Sequence, residues 1–415
     1  MEHLRQLRRD RATAPRLHPL WLLSRPCGYP NPGELVGFRY MAKIAVDAMG
    51  GDHAPAVVVE GALLAAQDLG VEIVLVGDAD AIEQELAKHR NAPQLKIVNA
   101  SQVVPMHEPP SIALRKKDSS IKVGFEMMKR GEVVALVSAG NSGAMMAIGM
   151  FVLGTLPQVD RPAILVVVPS VGKGTVIVDA GANVDCKPRH LVQFGFMGSI
   201  YAEQVLGVIQ PRVAVLSNGE EDTKGNDLTR AASEQLAQTS LNFIGYVEGR
   251  DIFNGNVDVI VCDGFTGNVA LKTMEGLASF AGEVLKEAFQ KNLSSRLGYV
   301  FSRSSLAKAY RRLDYAEYGG APLIGLDGVA IIAHGGSNPV AIKNAIRAAR
   351  DAINHDMNRH IAEDLDAADG LAGAKKDGLP RNLWQRFKSK IESLGDKSDK
   401  NEAGTIRGER GGSDE

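Results

Sequence analysis

The sequence predicts an α/β fold, a doubly wound α/β/α sandwich, and three observations support it. Short runs of β-branched and apolar residues recur along the chain. Each is closed by a cluster of Gly, Asp, Asn or Ser and followed by a segment of helical character. Strands alternating with helices in this way build a sheet with helices on both faces. The composition suits such a sheet, since 45% of the 415 residues are hydrophobic and only 5% aromatic. Finally, several glycine-punctuated turns run straight from strand to helix, and in such folds ligands gather beyond the carboxyl ends of the strands.

In chain order, Lys43 to Asp47 (KIAVD) is a predicted strand that ends in a loop holding Gly50, Gly51 and Asp52, with a long helix expected after Pro55. Val133 to Met146 (VVALVSAGNSGAMM) reads as strand, then Ser138, Gly140, Asn141, Ser142 and Gly143, then a small-residue helix. Thr175 to Asn183 (TVIVDAGAN) leads to Lys187 and Pro188, and the strand VAVLS runs into a polar loop from Asn218 to Asn226 that contains Lys224. Asp258 to Lys272 (DVIVCDGFTGNVALK) is the most informative unit. Val259, Ile260 and Val261 make the strand, Gly264 and Gly267 permit a tight turn, and Thr266 and Asn268 are expected to cap the helix. Unsatisfied N–H groups and the positive dipole end of such a helix attract an anion. Five polar loops of this kind are expected to line one crevice with anionic contents. No loop matches G-x-x-x-x-G-K-[ST] or G-x-G-x-x-G, which leaves nucleotide binding and a dehydrogenase reading without support.

The segments IAVDAMGGD (Ile44 to Asp52), SAGNSGA (Ser138 to Ala144), DAGANVDCKP (Asp179 to Pro188), GEEDTKGN (Gly219 to Asn226), NFIGYVEGRDI (Asn242 to Ile252), CDGFTGNVALK (Cys262 to Lys272) and EYGGAPLIG (Glu317 to Gly325) resemble the PlsX family of bacterial phosphate acyltransferases. They occur in family order between about Met41 and about Asn354. Ser142 departs from the Thr usual in the family but keeps the hydroxyl. The resemblance implies transfer of a fatty acyl group from acyl carrier protein to inorganic phosphate, giving the acyl phosphate that starts phospholipid synthesis. It also implies a homodimer and a fold similar to isopropylmalate dehydrogenases and phosphotransacetylases.

Those implications fit the chemistry. A thiol with a reference pKa of about 8.5 leaves a thioester with little help from an acid. Phosphate is already largely ionised near neutrality, so the reaction needs orientation and oxyanion stabilisation more than a base. Lys224 is expected to neutralise phosphate or the oxyanion, and Asn268 to donate a hydrogen bond to it. The competing readings are a solvated loop lysine and a simple helix cap. Phosphate or substrate contacts are expected from Gly50, Gly51, Asp52, Ser138, Gly140, Asn141, Ser142, Gly143, Lys187, Gly264, Thr266, Gly267 and Lys272. A phosphotransacetylase using short-chain acyl-CoA, and a non-catalytic membrane scaffold indifferent to loss of Lys224 and Asn268, are the alternatives.

No cofactor and no metal is expected. Asp47, Asp52, Asp179 and Asp263 end or follow strands, where short carboxylates commonly bind nearby backbone N–H groups rather than a divalent cation. His53 and His334 are read as structural turn residues. Cys27, Cys186 and Cys262 show no C-x-x-C spacing, and Cys262 is read as a buried, inert thiol. A net charge of −2 argues against general nucleic-acid binding. No apolar run reaches the ~20 residues that span a bilayer, so the expectation is a cytoplasmic protein with peripheral membrane association.

That association is placed on a helical excursion at 277–315. Lys291 to Leu313 carries six basic residues and no acidic one. Leu293, Leu297 and Val300, then Leu306, Tyr310 and Leu313, give helical spacing twice over, with Phe301 expected at the tip between two helices. Arg296, Val300, Phe301, Arg303, Lys308 and Arg311 would then touch anionic lipid, a membrane acyltransferase or the acidic carrier protein. An ordinary amphipathic pair packed on the sheet or on a dimer partner is the alternative. The catalytic domain is expected over 41–364. Residues 1–40 are read as a disordered extension or a start codon placed too early, Met41 being the other candidate start. Residues 365–415 are read as a mostly disordered basic tail with a possible short helix at 381–394.

Overall fold

The computed structural model describes residues 42–89, 93–313 and 319–372, with side chains undescribed at 307–313 and 368–372. The expectations for 1–40 and for a helix at 381–394 lie outside the described residues. The elements are β1 (Lys43–Asp47), α1 (Ala56–Asp68), β2 (Glu72–Gly77), α2 (Ala79–Leu86), β3 (Lys96–Asn99), α3 (Pro110–Ala113), α4 (Ser120–Lys129), β4 (Ala135–Ser138) and α5 (Ser142–Val152). Then follow β5 (Ala163–Val168), β6 (Thr175–Val178), α6 (Pro188–Gln204), β7 (Arg212–Leu216), α7 (Asp227–Leu236), β8 (Asn242–Val247) and β9 (Val259–Val261). The described chain closes with α8 (Gly264–Gln290), α9 (Leu293–Leu313), β10 (Ala321–Ile324), β11 (Val329–Ile332), α10 (Pro339–Asn354) and α11 (Met357–Ala372), which runs past residue 364.

Successive strand residues face opposite sides, so a strand apolar throughout is buried on both faces. In β1, Ile44 and Val46 join the core under α1 and α10, while Ala45 joins Phe125 and Met145 on the other side. In β9, Val259 and Val261 pack with Phe194 and Met197 of α6, and Ile260 packs with Cys262 and Met274 of α8. The expected α/β/α sandwich is therefore present.

All eleven strands form one sheet in the order β3-β2-β1-β4-β11-β10-β5-β6-β9-β7-β8. It is mixed rather than parallel. β11 runs parallel to β4, β10 is antiparallel to β11, and β5 is antiparallel to β10, so β5 runs with β4. β6 is antiparallel to β5, and β9 and β7 follow β6. The carboxyl ends of β1 and β4 thus lie on one edge of the sheet, and those of β6, β9 and β7 on the opposite edge. The five glycine loops do not line a single crevice. The β5–β6 hairpin reverses the chain, which a strand-helix-strand reading of each segment does not reveal.

α8 and α9 form a helical hairpin in which the rings of Phe289 and Tyr299 meet at a tilt of 54°, with centroids 5.5 Å apart. Its turn lies at 291–292, where Asn292 Oδ1 accepts from Ser295 N at 2.8 Å and starts α9. Phe301, expected at the tip, instead sits in the middle of α9 and is 86% exposed. The two apolar stretches read from the sequence belong to one continuous helix, and no proline interrupts it between Leu297 and Leu306. Lys308 and Arg311 lie on α9, with side chains outside the described set.

Candidate active site

Adjacent strands are about 4.8 Å apart, so the carboxyl ends of β6, β9 and β7 span about 10 Å. Three loops leave this edge. The first, after β6, is built around Asp179. Its Oδ1 accepts from the N–H groups of Ile164 (3.0 Å), Gly181 (3.1 Å) and Ala182 (2.9 Å). Its Oδ2 accepts from Asn183 N at 2.7 Å and Asn183 Nδ2 at 2.9 Å. Burial holds the Asp179 carboxyl above its ordinary value, and the hydrogen bonds offset only part of that rise. Asn183 Nδ2 also donates to the Pro162 carbonyl at 2.7 Å, which ties the loop to the start of β5. The loop ends at Lys187, whose exposed ammonium has no carboxylate partner among the described residues.

The second loop, after β9, enters α8. Asp263 caps this helix, accepting from Thr266 N at 2.9 Å and Thr266 Oγ1 at 2.8 Å. The caps expected from Thr266 and Asn268 are therefore corrected: a residue before the first turn reaches the free N–H groups, and Asn268 lies too far into the helix to do so. Asn268 is exposed and its amide makes no hydrogen bond among the described residues. Gly264 N donates to Asn183 O at 2.7 Å, and a Cβ on Gly267 would lie 1.9 Å from the Asp179 carbonyl oxygen. Only glycine permits that approach.

The third loop, after β7, is held at both ends. Asn218 Oδ1 accepts from Gly225 N at 2.9 Å, and Asn226 caps α7 through Thr229 N at 2.9 Å. Between them Lys224 reaches Glu221 only at 4.0 Å, with its side chain 43% exposed. Lys272, a further turn along α8, pairs with Glu275 at 2.8 Å at an exposed position.

The opposite edge gathers Gly50, Gly51, Asp52, Ser138, Gly140, Asn141, Ser142 and Gly143, and most of its polar groups are spent internally. Ser138 Oγ donates to the buried Asp47 Oδ2 at 2.6 Å, Gly140 N donates to Ser138 Oγ at 3.0 Å, and Asp52 N donates to the Gly335 carbonyl at 2.8 Å. Asn141 Oδ1 caps α5 through Ala144 N at 2.9 Å, while Nδ2 donates to the carbonyls of Pro105, Met106 and Glu108. A Cβ on Gly50 would meet Gly140 N at 2.6 Å, so backbone meets backbone here. Ser138 and Asn141, expected to contact phosphate or substrate, both make internal hydrogen bonds at this edge.

Two thiols border the first edge. Burial pushes the Cys186 thiol up to about 12, with Asp179 and Asp263 adding to the effect, and burial raises Cys262 well above its ordinary value. Neither supplies a thiolate near neutrality. Among the described residues no group of His, Cys, Asp or Glu has the arrangement of a metal site. Sequence reasoning placed Asp179 correctly as a turn carboxylate but missed that five donors converge on it. The signal was an Asp directly after an apolar strand and before Gly-Ala-Asn.

Residues 42–360 match the family described as "Fatty acid synthesis protein". The chain belongs to this family. A protein named "Phosphate acyltransferase" from Geotalea uraniireducens (strain Rf4) is 55% identical over 325 residues, covering 78% of this chain and 94% of that protein. One of the same name from Geobacter sulfurreducens is 56% identical over 326 residues, with the same coverage. Among solved structures, a phosphotransacetylase from Streptococcus pyogenes superposes with a TM-score of 0.52 at 18% identity, covering 76% of this chain and 94% of that chain. That likeness shows a shared fold only. The family's extent stops short of 381–394, and Lys187, Lys224 and Asn268 all fall within it.

Proposed function

We propose that this member of the family transfers a fatty acyl group from acyl carrier protein to inorganic phosphate, making acyl phosphate for phospholipid synthesis. The observation that carries the reading is the placement of Lys187, Lys224 and the unbonded Asn268 amide at the carboxyl ends of three adjacent parallel strands. A phosphate oxygen attacks the thioester carbonyl carbon. Lys224 offsets the charge of the phosphate or of the developing oxyanion, Asn268 Nδ2 donates to that oxyanion, and Lys187 holds the phosphate for approach to the face of the thioester carbonyl. Collapse breaks the C–S bond and releases acyl phosphate and the carrier's thiolate, which takes a proton from water. The raised thiols of Cys186 and Cys262 favour direct attack by phosphate over an acyl-cysteine intermediate.

The helical hairpin supports the accessory part of the proposal. Leu277, Phe280, Val284 and Leu285 of α8 are 45–63% exposed, and Leu293, Val300 and Phe301 of α9 are 61–86% exposed. Contiguous apolar surface of this kind marks a contact site. α8 pairs with the same helix of a second copy, and α9, carrying Arg296 and Arg303, rests on anionic lipid as a peripheral contact. No described helix is long and apolar enough to cross a membrane.

The test is acyl-phosphate formation from long-chain acyl carrier protein and inorganic phosphate, with acyl-CoA as parallel donor. Activity with the carrier-linked donor is expected. Activity with acyl-CoA alone would overturn the carrier assignment, and inactivity with both from folded protein would overturn the enzymatic reading.

A further inference from the structure

We infer that Asp179, which touches no reactant, is a positioning residue for this reaction: its carboxylate shapes the 179–183 loop against which Asn268 is seated. The inference rests on the role proposed for Asn268. That amide is exposed and makes no hydrogen bond among the described residues, so where it sits depends on the first turn of α8 and on the loop beside it. The packing partner is Gly181, at φ +139°, where an added Cβ would lie 3.5 Å from both Cβ and Cγ of Asn268. Gly181 is in turn fixed through its N–H to Asp179 Oδ1 at 3.1 Å.

The same carboxylate orders the rest of the junction. Asn183, held by Asp179 Oδ2 through N at 2.7 Å and Nδ2 at 2.9 Å, presents its carbonyl to Gly264 N at 2.7 Å. The Asp179 carbonyl itself lies so close to Gly267 that a Cβ there would sit 1.9 Å away. The first turn of α8 is thus clamped at Gly264 and Gly267 by two points of a loop that Asp179 organises. Five N–H donors on one side chain require an acceptor-only group. Asparagine has the same shape but puts an NH₂ where N–H groups converge, leaving donors buried and unmet.

The test is a kinetic cycle on the full-length chain with Asp179→Asn, Asn268→Ala and the double variant. A misplacement of about 1 Å at a reacting group costs about 10²-fold in rate. Asp179→Asn is expected to lower kcat by that order while the KM for phosphate stays within about threefold, because lost orientation acts in the transition state. Asn268→Ala should cost a similar factor, and the double variant should be no more than about twofold slower than Asn268→Ala. Should Asp179→Asn fail to fold, Gly181→Ala, which strains the same loop at φ +139° and brings a Cβ into contact with Asn268 at 3.5 Å, replaces it with the same expectations.

A merely structural Asp179 would lower the melting temperature and the folded fraction and leave kcat per folded molecule unchanged, whereas an effect on kcat that bypasses Asn268 would add to that of Asn268→Ala. Either result with a slow Asn268→Ala enzyme overturns the inference. A near-normal Asn268→Ala enzyme overturns the site assignment itself and the inference with it, so the two failures are distinguishable.

Discussion

Replacing Lys224 by Met separates catalysis from stability, and the two magnitudes come from the same geometry. The Lys224 ammonium meets Glu221 only at 4.0 Å, with side-chain exposures of 43% and 69%. An exposed pair at that distance contributes between 0 and about 1 kcal/mol, so the variant should melt within a few degrees of the parent. In the proposed transition state the same ammonium faces a dianionic phosphate or an oxyanion. Loss of one such charge-stabilising donor costs about 100-fold in kcat, or about 2.7 kcal/mol. The assay is initial-rate acyl-phosphate formation from acyl carrier protein, with thermal unfolding followed on the same samples. A folded Lys224→Met enzyme within about threefold of normal kcat would refute the assignment, because a lysine left so weakly paired would then have no work at this edge.

Four other perturbations test neighbouring parts of the structure. Gly267→Ala forces a Cβ to 1.9 Å from the Asp179 carbonyl, so urea denaturation should show a loss of about 3 kcal/mol or more. Cys262→Ala should keep kcat within about threefold, and alkylating reagents should leave Cys262 unmodified in the native protein, since burial holds its thiol protonated. Val300→Glu with Phe301→Glu should weaken flotation with anionic vesicles, and unchanged flotation would locate the anchor elsewhere. Burial would raise the Asp258 carboxyl, but hydrogen bonds from Arg212 outweigh it and hold it below its ordinary value. That stabilisation is present above the unfolded carboxylate pKa of about 3.9 and lost as pH falls through the lower folded value. Arg212→Met should therefore cost up to about 1 kcal/mol at pH 7, and the deficit should close in acid melts.

The layers of the sandwich were legible because burial on both faces leaves an unmistakable trace. β9 is three apolar residues in a row, all inaccessible, and β6 is TVIV with the same pattern. Strand direction left no such trace. The β5–β6 reversal lies in the six residues between Val168 and Thr175, too few for a crossover helix, but the expectation took each strand with the helix after it and did not pair the run Ala163–Val168 with Thr175–Val178. That one reversal moved the loops after β1 and β4 to the edge opposite Lys224 and Asn268. The cap of α8 was misassigned for a related reason: Asp263, Thr266 and Asn268 are all good capping types, and only the position of the first helical residue selects Asp263. The hairpin turn at Asn292 was missed because the apolar spacing of α9 changes phase near Phe301 without breaking the helix.

The two edges also explain why the glycine loops look alike in sequence and differ in consequence. Each has a strand-end aspartate whose carboxylate gathers local donors: Asp47 takes Ser138 Oγ and Met49 N, and Asp179 takes five N–H groups. Around Asp47 the neighbouring asparagine, Asn141, spends both ends of its amide on the backbone. Around Asp179 the asparagine that follows in the helix, Asn268, spends neither. Asn268 is exposed, so water meets its amide in the free protein and an anionic reactant can take the place of that water without breaking a bond inside the protein. A loop that sets the position of the α8 turn carrying Asn268, as the bonds of Asp179 and Asn183 do, would limit how far such a donor must reorganise when charge develops. On that reasoning the catalytic power of this edge lies as much in the carboxylate that orders the loop as in the groups that face the reactants.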